Sequence, residues 1–219
     1  GTELFRAWNR RLERFDQMVS PLQSLKIPGH SELFECQKID GLAGYVRRGI
    51  SGNTVYGYDR SKIIISCEGT DTTGTALFKE LKVRFGIECE MAACGYVVAM
   101  TGILDSDESV KNLAKALLEI DKEVRVTAPR LPFTAAKIPK RRVGVSQALR
   151  SESSSISIKD AKGKISAEYV WAYPPGIPLV VPGEELNEET VRSLIIQREA
   201  GVSLRSSFGG MPKTLRVLL

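Results

Sequence analysis

The chain reads as α+β: a small antiparallel-sheet domain with helices on one face, followed by a second small α+β C-terminal domain. Three observations predict this. A β-branched run, Lys62 to Cys67, and two apolar runs flanking Ala92-Ala93-Cys94-Gly95 supply a central strand and a hairpin. Two amphipathic segments preceded by capping residues alternate with those strands, as helices covering one sheet face do. A stretch from Arg125 to Pro139 then carries three prolines and little periodicity, and short strands and one helix resume beyond it. The expected boundaries are therefore 1–125 for the first domain with its leading helix, 126–139 for a connector and 140–219 for the C-terminal domain.

From Thr2 to about Leu22, apolar residues recur at Leu4, Phe5, Trp8, Leu12, Phe15, Met18, Val19 and Leu22, which marks one face of a helix. That stripe must pack on something, and part of its partner is expected to lie outside this chain. Phe5, Trp8, Leu12 and Phe15 should then be left uncovered and drive self-association. Pro28-Gly29 breaks the chain, and residues 31–58 suggest short strands and turns. Asp71, Thr72 and Thr73 are possible caps for a helix carrying Ala76, Leu77 and Leu81 and closed by Gly86. Ser106 opens a further helix with Val110, Leu113, Ala114, Leu117, Leu118 and Ile120 inward.

In the last part the pattern predicts a short helix over Val145 to Arg150, a strand at Ser153 to Lys159, and a turn through Asp160 to Gly163. A strand from Ile165 to Ala172 follows. Tyr173 to Glu184 then holds four prolines and two glycines around an apolar run, Ile177 to Val181, that reads as a short buried strand. Pro174, Pro175, Gly176, Pro178, Pro182 and Gly183 form this structural motif. A helix from Glu188 to Ala200, stopped at Gly201, and a terminal strand at Leu215 to Leu219 complete the reading.

The 219 residues are 42% hydrophobic and 26% charged, ordinary for a globular protein. A net charge of +5 arises from 31 basic and 26 acidic residues that are interspersed, so specific nucleic-acid binding is not expected. The basic cluster Lys137, Lys140, Arg141 and Arg142 lacks aromatics that would stack bases and reads as a solvated connector. No apolar run is long enough to span a bilayer, so no membrane partner is expected. The four cysteines Cys36, Cys67, Cys89 and Cys94 have no disulfide-framework or zinc spacing, and His30 is the sole histidine. Reduced thiols and a cytoplasmic location are the expectation. The chain begins at Gly1 without Met, directly in a helix, as an excised piece or expression remnant would.

Several blocks carry a resemblance. Asp59-Arg60-Ser61-Lys62-Ile63-Ile64-Ile65-Ser66 and Gly86-Ile87-Glu88-Cys89-Glu90 look like two strands of a small domain. Lys164-Ile165-Ser166-Ala167-Glu168 together with Tyr173-Pro174-Pro175-Gly176-Ile177-Pro178 and Pro182-Gly183-Glu184 is the sharpest block. Together they resemble the small domain plus C-terminal domain of the pyridoxal-phosphate-dependent ornithine/lysine/arginine decarboxylases, fold type I. The resemblance implies a parent lyase, active in polyamine biosynthesis, that removes the α-carboxylate of a basic amino acid. It implies pyridoxal phosphate in the full-length parent, where the cofactor takes up the electrons left by carbon dioxide. It also implies a homodimer or larger homo-oligomer.

The family holds its cofactor through a lysine in a large domain, within a Ser-x-His-Lys motif. Here His30 is followed by Ser31, and the catalytic large domain is absent. The fragment is thus expected to hold no catalytic residue, no cofactor and no metal, to be inactive alone, and to have the missing large domain as its partner. A stand-alone binding or regulatory module derived from such a tail is the alternative.

Within the fragment, Glu184 and Tyr173 are the candidate substrate-binding residues. The Glu184 carboxylate could take the distal cation of a basic amino acid, or simply favour the positive end of the following helix with Glu185, Glu188 and Glu189. Tyr173 could cover a substrate or pack on Pro174 and Pro178. Glu168 is expected in a buried salt bridge or facing solvent. Arg47 and Arg48 are candidates for gripping an anion.

Overall fold

The computed structural model describes residues 2–27, 59–127, 138–209 and 213–219. Readings that fall on Pro28-Gly29-His30, 31–58 (with Cys36, Arg47 and Arg48) and Lys137 lie outside the described residues. The chain divides into two units, Gly1–Glu90 with Tyr96–Arg130, and Met91–Gly95 with Leu131–Leu219.

In the first unit, helix α1 spans Thr2–Val19 and strand β1 spans Lys62–Ser66. Helix α2 covers Gly74–Phe85, and Thr73 is its cap: the Thr73 hydroxyl accepts from the Ala76 amide. Gly86 closes it at φ 66, a left-handed conformation that glycine adopts without a Cβ penalty. After strand β2 (Met91–Ala92), which belongs to the second unit, strand β3 (Tyr96–Met100) pairs antiparallel with β1, bringing Ile63 opposite Ala99 and Ile65 opposite Val97. All four of those side chains are buried, so the sheet has one core face. Helix α3, Asp107–Glu123, begins at the Ser106 cap and buries the face expected of it, apart from a half-buried Leu118.

Most of the apolar stripe of α1 finds its partner within this unit, which corrects the expectation that Trp8, Leu12 and Phe15 are left uncovered. Trp8, Leu12 and Phe15 are buried, and Trp8 Nε1 donates to Thr101 Oγ1 at 3.2 Å. Arg11 and Arg14 reach Asp107 at the start of α3. At its other end, the Asp121 carboxylate accepts the amides of Gln23, Ser24 and Leu25. These contacts tie the second half of α1 to the start of α3 and the segment after α1 to its end. Of the stripe, only Phe5 at 54% and Leu4 at 46% remain exposed. The sequence could not reveal this pairing, because its partners lie about 90 residues downstream.

In the second unit, helix α4 covers Val145–Ala148, shorter than expected. Strand β4 is Ser153–Ser157, after which the chain tightens into a 3-10 turn at Ile158–Asp160 instead of continuing to Lys159. Strands β5 (Val170–Ala172), β6 (Ile177–Val180) and β7 (Leu204–Ser206) form an antiparallel sheet in the order β6-β5-β7. Helix α5, Glu188–Glu199, is capped by Asn187, whose Oδ1 accepts the Thr190 amide. Strand β8, Thr214–Leu218, pairs with β4. The core gathers Ile158, Val170, Val180, Leu186, Leu194, Leu204, Leu215 and Val217 from the 3-10 turn, the three-stranded sheet, the segment before α5, α5 itself and β8.

Candidate functional site

The proline motif divides into two parts at opposite ends of β6. The first is the hairpin tip between β5 and β6. Tyr173 N donates to Ser203 O and Gly176 N to Ala172 O, both at 2.9 Å, and Gly176 takes φ 108. The Tyr173-Pro174 and Pro174-Pro175 peptide bonds are cis. Every residue from Tyr173 to Pro178 is exposed. The expected buried strand is thus buried only at its far end, where Leu179 is half-buried and Val180 fully so. The reason is geometric: Ile177 and Pro178 belong to a tip that extends past the core. Tyr173, 56% exposed, stands in solvent.

The second part is the turn Val181-Pro182-Gly183-Glu184. Glu184 N donates to Val181 O, and Val181 N donates to Glu184 Oε2 at 2.9 Å, so the carboxylate closes its own turn. No described residue hydrogen-bonds Glu184 Oε1. The turn is threaded between two other segments. Gly183 O accepts the Arg142 and Val143 amides at 2.8 and 3.2 Å, while Gly183 N donates to Ser166 O at 2.8 Å. Glu185 N donates to Lys140 O, and Ser166 N donates to Glu184 O. Gly183 sits at φ 88, and a Cβ there would lie 2.1 Å from Val143 O. Glycine is therefore required twice, by conformation and by close approach.

These contacts refine two expectations. Lys140, Arg141 and Arg142 are exposed, as expected of a solvated stretch, but they are more than a connector, since the backbone of 140–142 pairs with 183–185 and Arg142 Nε reaches Glu185 Oε2 at 2.7 Å. Glu185 is accordingly an ion-pair partner. Glu188 is the acid that opens α5, and its hydrogen bond from Lys162 Nζ holds its carboxyl below the usual range.

The Ser-Ala-Glu block has a structural role the sequence reading missed. Ser166 Oγ donates to Glu168 O and accepts from Glu168 N, a local turn that interrupts the strand expected over Ile165 to Ala172. Glu168 is 2% exposed, and its Oε1 accepts the Arg216 amide at 2.6 Å, while Ala167 N donates to Arg216 O. The predicted salt bridge is replaced by a charge-assisted bond to backbone. An acidic residue between apolar neighbours was the signal. Its partner, 48 positions away, was not readable.

The arrangement positions groups and offers no bond-making set. Among the described residues no group of three His, Cys, Asp or Glu could hold a metal ion. No described helix is long and apolar enough to cross a membrane. Burial pushes the Cys89 thiol up to about 11 and raises that of Cys94, which disfavours thiolate chemistry near neutral pH. Tyr173 and Glu184 are not brought together: β6 alone, at about 3.3 Å per residue, separates them by roughly 13 Å.

The segment that carries the proline motif lies within the part of the chain that a known family matches: residues 134–202 match the family described as Orn/Lys/Arg decarboxylase, C-terminal domain. The arginine decarboxylase of Bacillus subtilis (strain 168) is 29% identical over 172 residues, covering 77% of this chain and 35% of that protein. The arginine decarboxylase of Halalkalibacterium halodurans is 27% identical over 183 residues, covering 82% and 37%. Among solved structures, the lysine decarboxylase LdcF of Francisella novicida superposes with a TM-score of 0.66 at 13% identity, covering all of this chain and 40% of that one. The constitutive lysine decarboxylase of Escherichia coli gives 0.59 at 17%, covering 98% and 41%. The chain is thus similar to part of these arginine decarboxylases and spans a little over a third of their length.

Proposed function

We propose that this chain is the C-terminal portion of a cytoplasmic, pyridoxal-phosphate-dependent decarboxylase of arginine, lysine or ornithine. It would supply a wall of the active-site entrance and subunit contacts without performing the chemistry. The carrying observation is the asymmetry of the similarity, which runs over 77% of this chain but 35% of the Bacillus subtilis arginine decarboxylase. The described residues do not fit the cofactor's anchor. Every described lysine is exposed except Lys62, which is half-buried and paired with Asp59 at 3.2 Å. A Schiff-base lysine sits in an enclosed, desolvated pocket, and none of these described lysines is buried.

Glu184 is the residue of this chain suited to a basic substrate. Its Oε2 is held by the Val181 amide, leaving Oε1 to accept from an ammonium or guanidinium. Tyr173, at the exposed tip, would cover a different part of the entrance.

The test has two arms. The intact mass of the native protein should exceed that of this chain severalfold, with a His-Lys motif upstream. A native start close to Thr2 would instead favour the stand-alone module. The 219-residue chain, treated with pyridoxal phosphate and borohydride, should give only scattered surface adducts and release no carbon dioxide from any of the three amino acids. A stoichiometric adduct at one lysine with carbon dioxide release overturns the proposal.

A further inference from the structure

The turn that carries Glu184 is the middle of three antiparallel segments, with 140–142 on one side and 163–166 on the other. Arg142 N donates to Gly183 O and Glu185 N to Lys140 O, so these two bonds bracket Arg141 and Glu184, which stand directly opposite each other. Arg141 and Glu184 are therefore a non-hydrogen-bonded antiparallel pair. In such a pair the Cα atoms approach to about 4.5 Å and the side chains leave the same face. Side-chain direction alternates along each segment, so Lys140, Arg142 and Glu185 take the opposite face. The ion pair of Arg142 with Glu185 at 2.7 Å is the contact that this alternation requires.

On the Glu184 face the charges stand differently. Arg141 is exposed and Glu184 half-buried, and neither is in an ion pair among the described residues. The neighbouring acid that could otherwise engage Arg141, Glu185, is committed to Arg142 on the far side. The Val181 amide fixes Glu184 Oε2, which gives Oε1 a settled position. Direct contact between two such exposed charges is worth about 0–1 kcal/mol, so a ligand that bridges them loses little by parting them. A fixed carboxylate oxygen beside a guanidinium fork fits a group that carries a cation and an anion close together. Its ammonium donates to Oε1, and its carboxylate accepts two parallel N–H bonds from the fork.

We infer that Arg141 and Glu184 form a site for the α-ammonium and α-carboxylate head group of an amino acid, and that Arg141 makes the site selective for it. A free amino acid satisfies both side chains. The amine left after loss of the carboxylate does not, because it offers nothing to the guanidinium fork and brings a cation towards Arg141 instead. The pair therefore accepts the substrate of a decarboxylation and turns away its product. Its placement at an active-site entrance rests on the function proposed above, whereas the head-group site itself is a property of this chain alone.

Titration of the isotope-labelled 219-residue chain with arginine and with agmatine, its decarboxylated counterpart, tests this through the amide chemical shifts. Arginine should shift the amides of Arg141, Val181 and Glu184 and bind at least about tenfold more tightly than agmatine, the equivalent of ~1.4 kcal/mol. Arg141→Gln should erase that preference and leave the remaining spectrum in place. Arg142→Gln removes the same charge from the opposite face and should keep the preference. Glu184→Gln should weaken both ligands. Arginine that shifts none of these amides overturns the inference. So does equal binding of the two ligands to the unaltered chain, a preference that survives Arg141→Gln, or one lost equally in both arginine variants. None of these results bears on whether a catalytic half lies upstream. Conversely, a native start close to Thr2 would remove the decarboxylase reading and leave the head-group site standing.

Discussion

Gly183 and the Val143 carbonyl oxygen are in a contact that admits no side chain: a Cβ on Gly183 would stand 2.1 Å from that oxygen. Gly176, in the same motif at φ 108, has nothing within 4 Å of the equivalent point. The two glycines therefore separate backbone strain from steric exclusion. Gly176→Ala should cost about 1–2 kcal/mol, the penalty of a left-handed alanine. Gly183→Ala adds displacement of the crossing at Arg142 and Val143, and should cost at least about 4 kcal/mol. Denaturant unfolding of both variants measures the difference, and equal losses would show that the crossing yields freely.

Glu168 tests whether the Ser-Ala-Glu block is structural. Its carboxylate, almost fully buried, accepts the Arg216 amide. Glu168→Gln keeps an acceptor oxygen and should be tolerated. Glu168→Ala strands that amide and should cost about 1–3 kcal/mol. Exchange of the Arg216 amide should quicken in the alanine variant alone.

The helices were legible because their signals are local. Thr73, Ser106 and Asn187 each precede an apolar period and each caps its helix. The opposite holds where the deciding partner is remote. The α1 stripe resembled an exposed surface because Thr101 and Asp107 lie far along the chain. The strand at Ile165 was overextended because β-propensity says nothing of a Ser166–Glu168 side-chain turn. The proline motif announced a fixed shape, but which end of it would be exposed depended on how far β6 reaches beyond the core.

Asp16 predicts a pH dependence. Burial pushes its carboxyl up to about 6, with Glu13 adding to the rise and Arg60, at 3.4 Å, opposing it. The folded state thus holds the proton to a higher pH than the unfolded chain, whose ordinary value is 3.8. Stability from this group is full below 3.8 and is lost as pH rises through about 6. Asp16→Asn should leave the melting temperature unchanged near the bottom of that window and raise it above the top. A difference that is flat across the window would remove the effect from Asp16.

Glu184 distinguishes a turn lock from a substrate contact, because its two oxygens have separable duties. Oε2 accepts the Val181 amide. Glu184→Gln retains an acceptor for that amide but loses the charge, so the fold should hold. In the full-length parent, loss of one charge-assisted hydrogen bond costs on the order of 1.5–3 kcal/mol. That is roughly a ten- to hundredfold rise in KM for the basic substrate. Glu184→Ala should add to this a loss of stability of about 1 kcal/mol, as the Val181 amide gives up its partner. Steady-state kinetics and melting curves on both variants read the two duties independently. A KM unchanged by glutamine, with stability lost only to alanine, would leave Glu184 as the residue that closes the Pro182-Gly183 turn and nothing more.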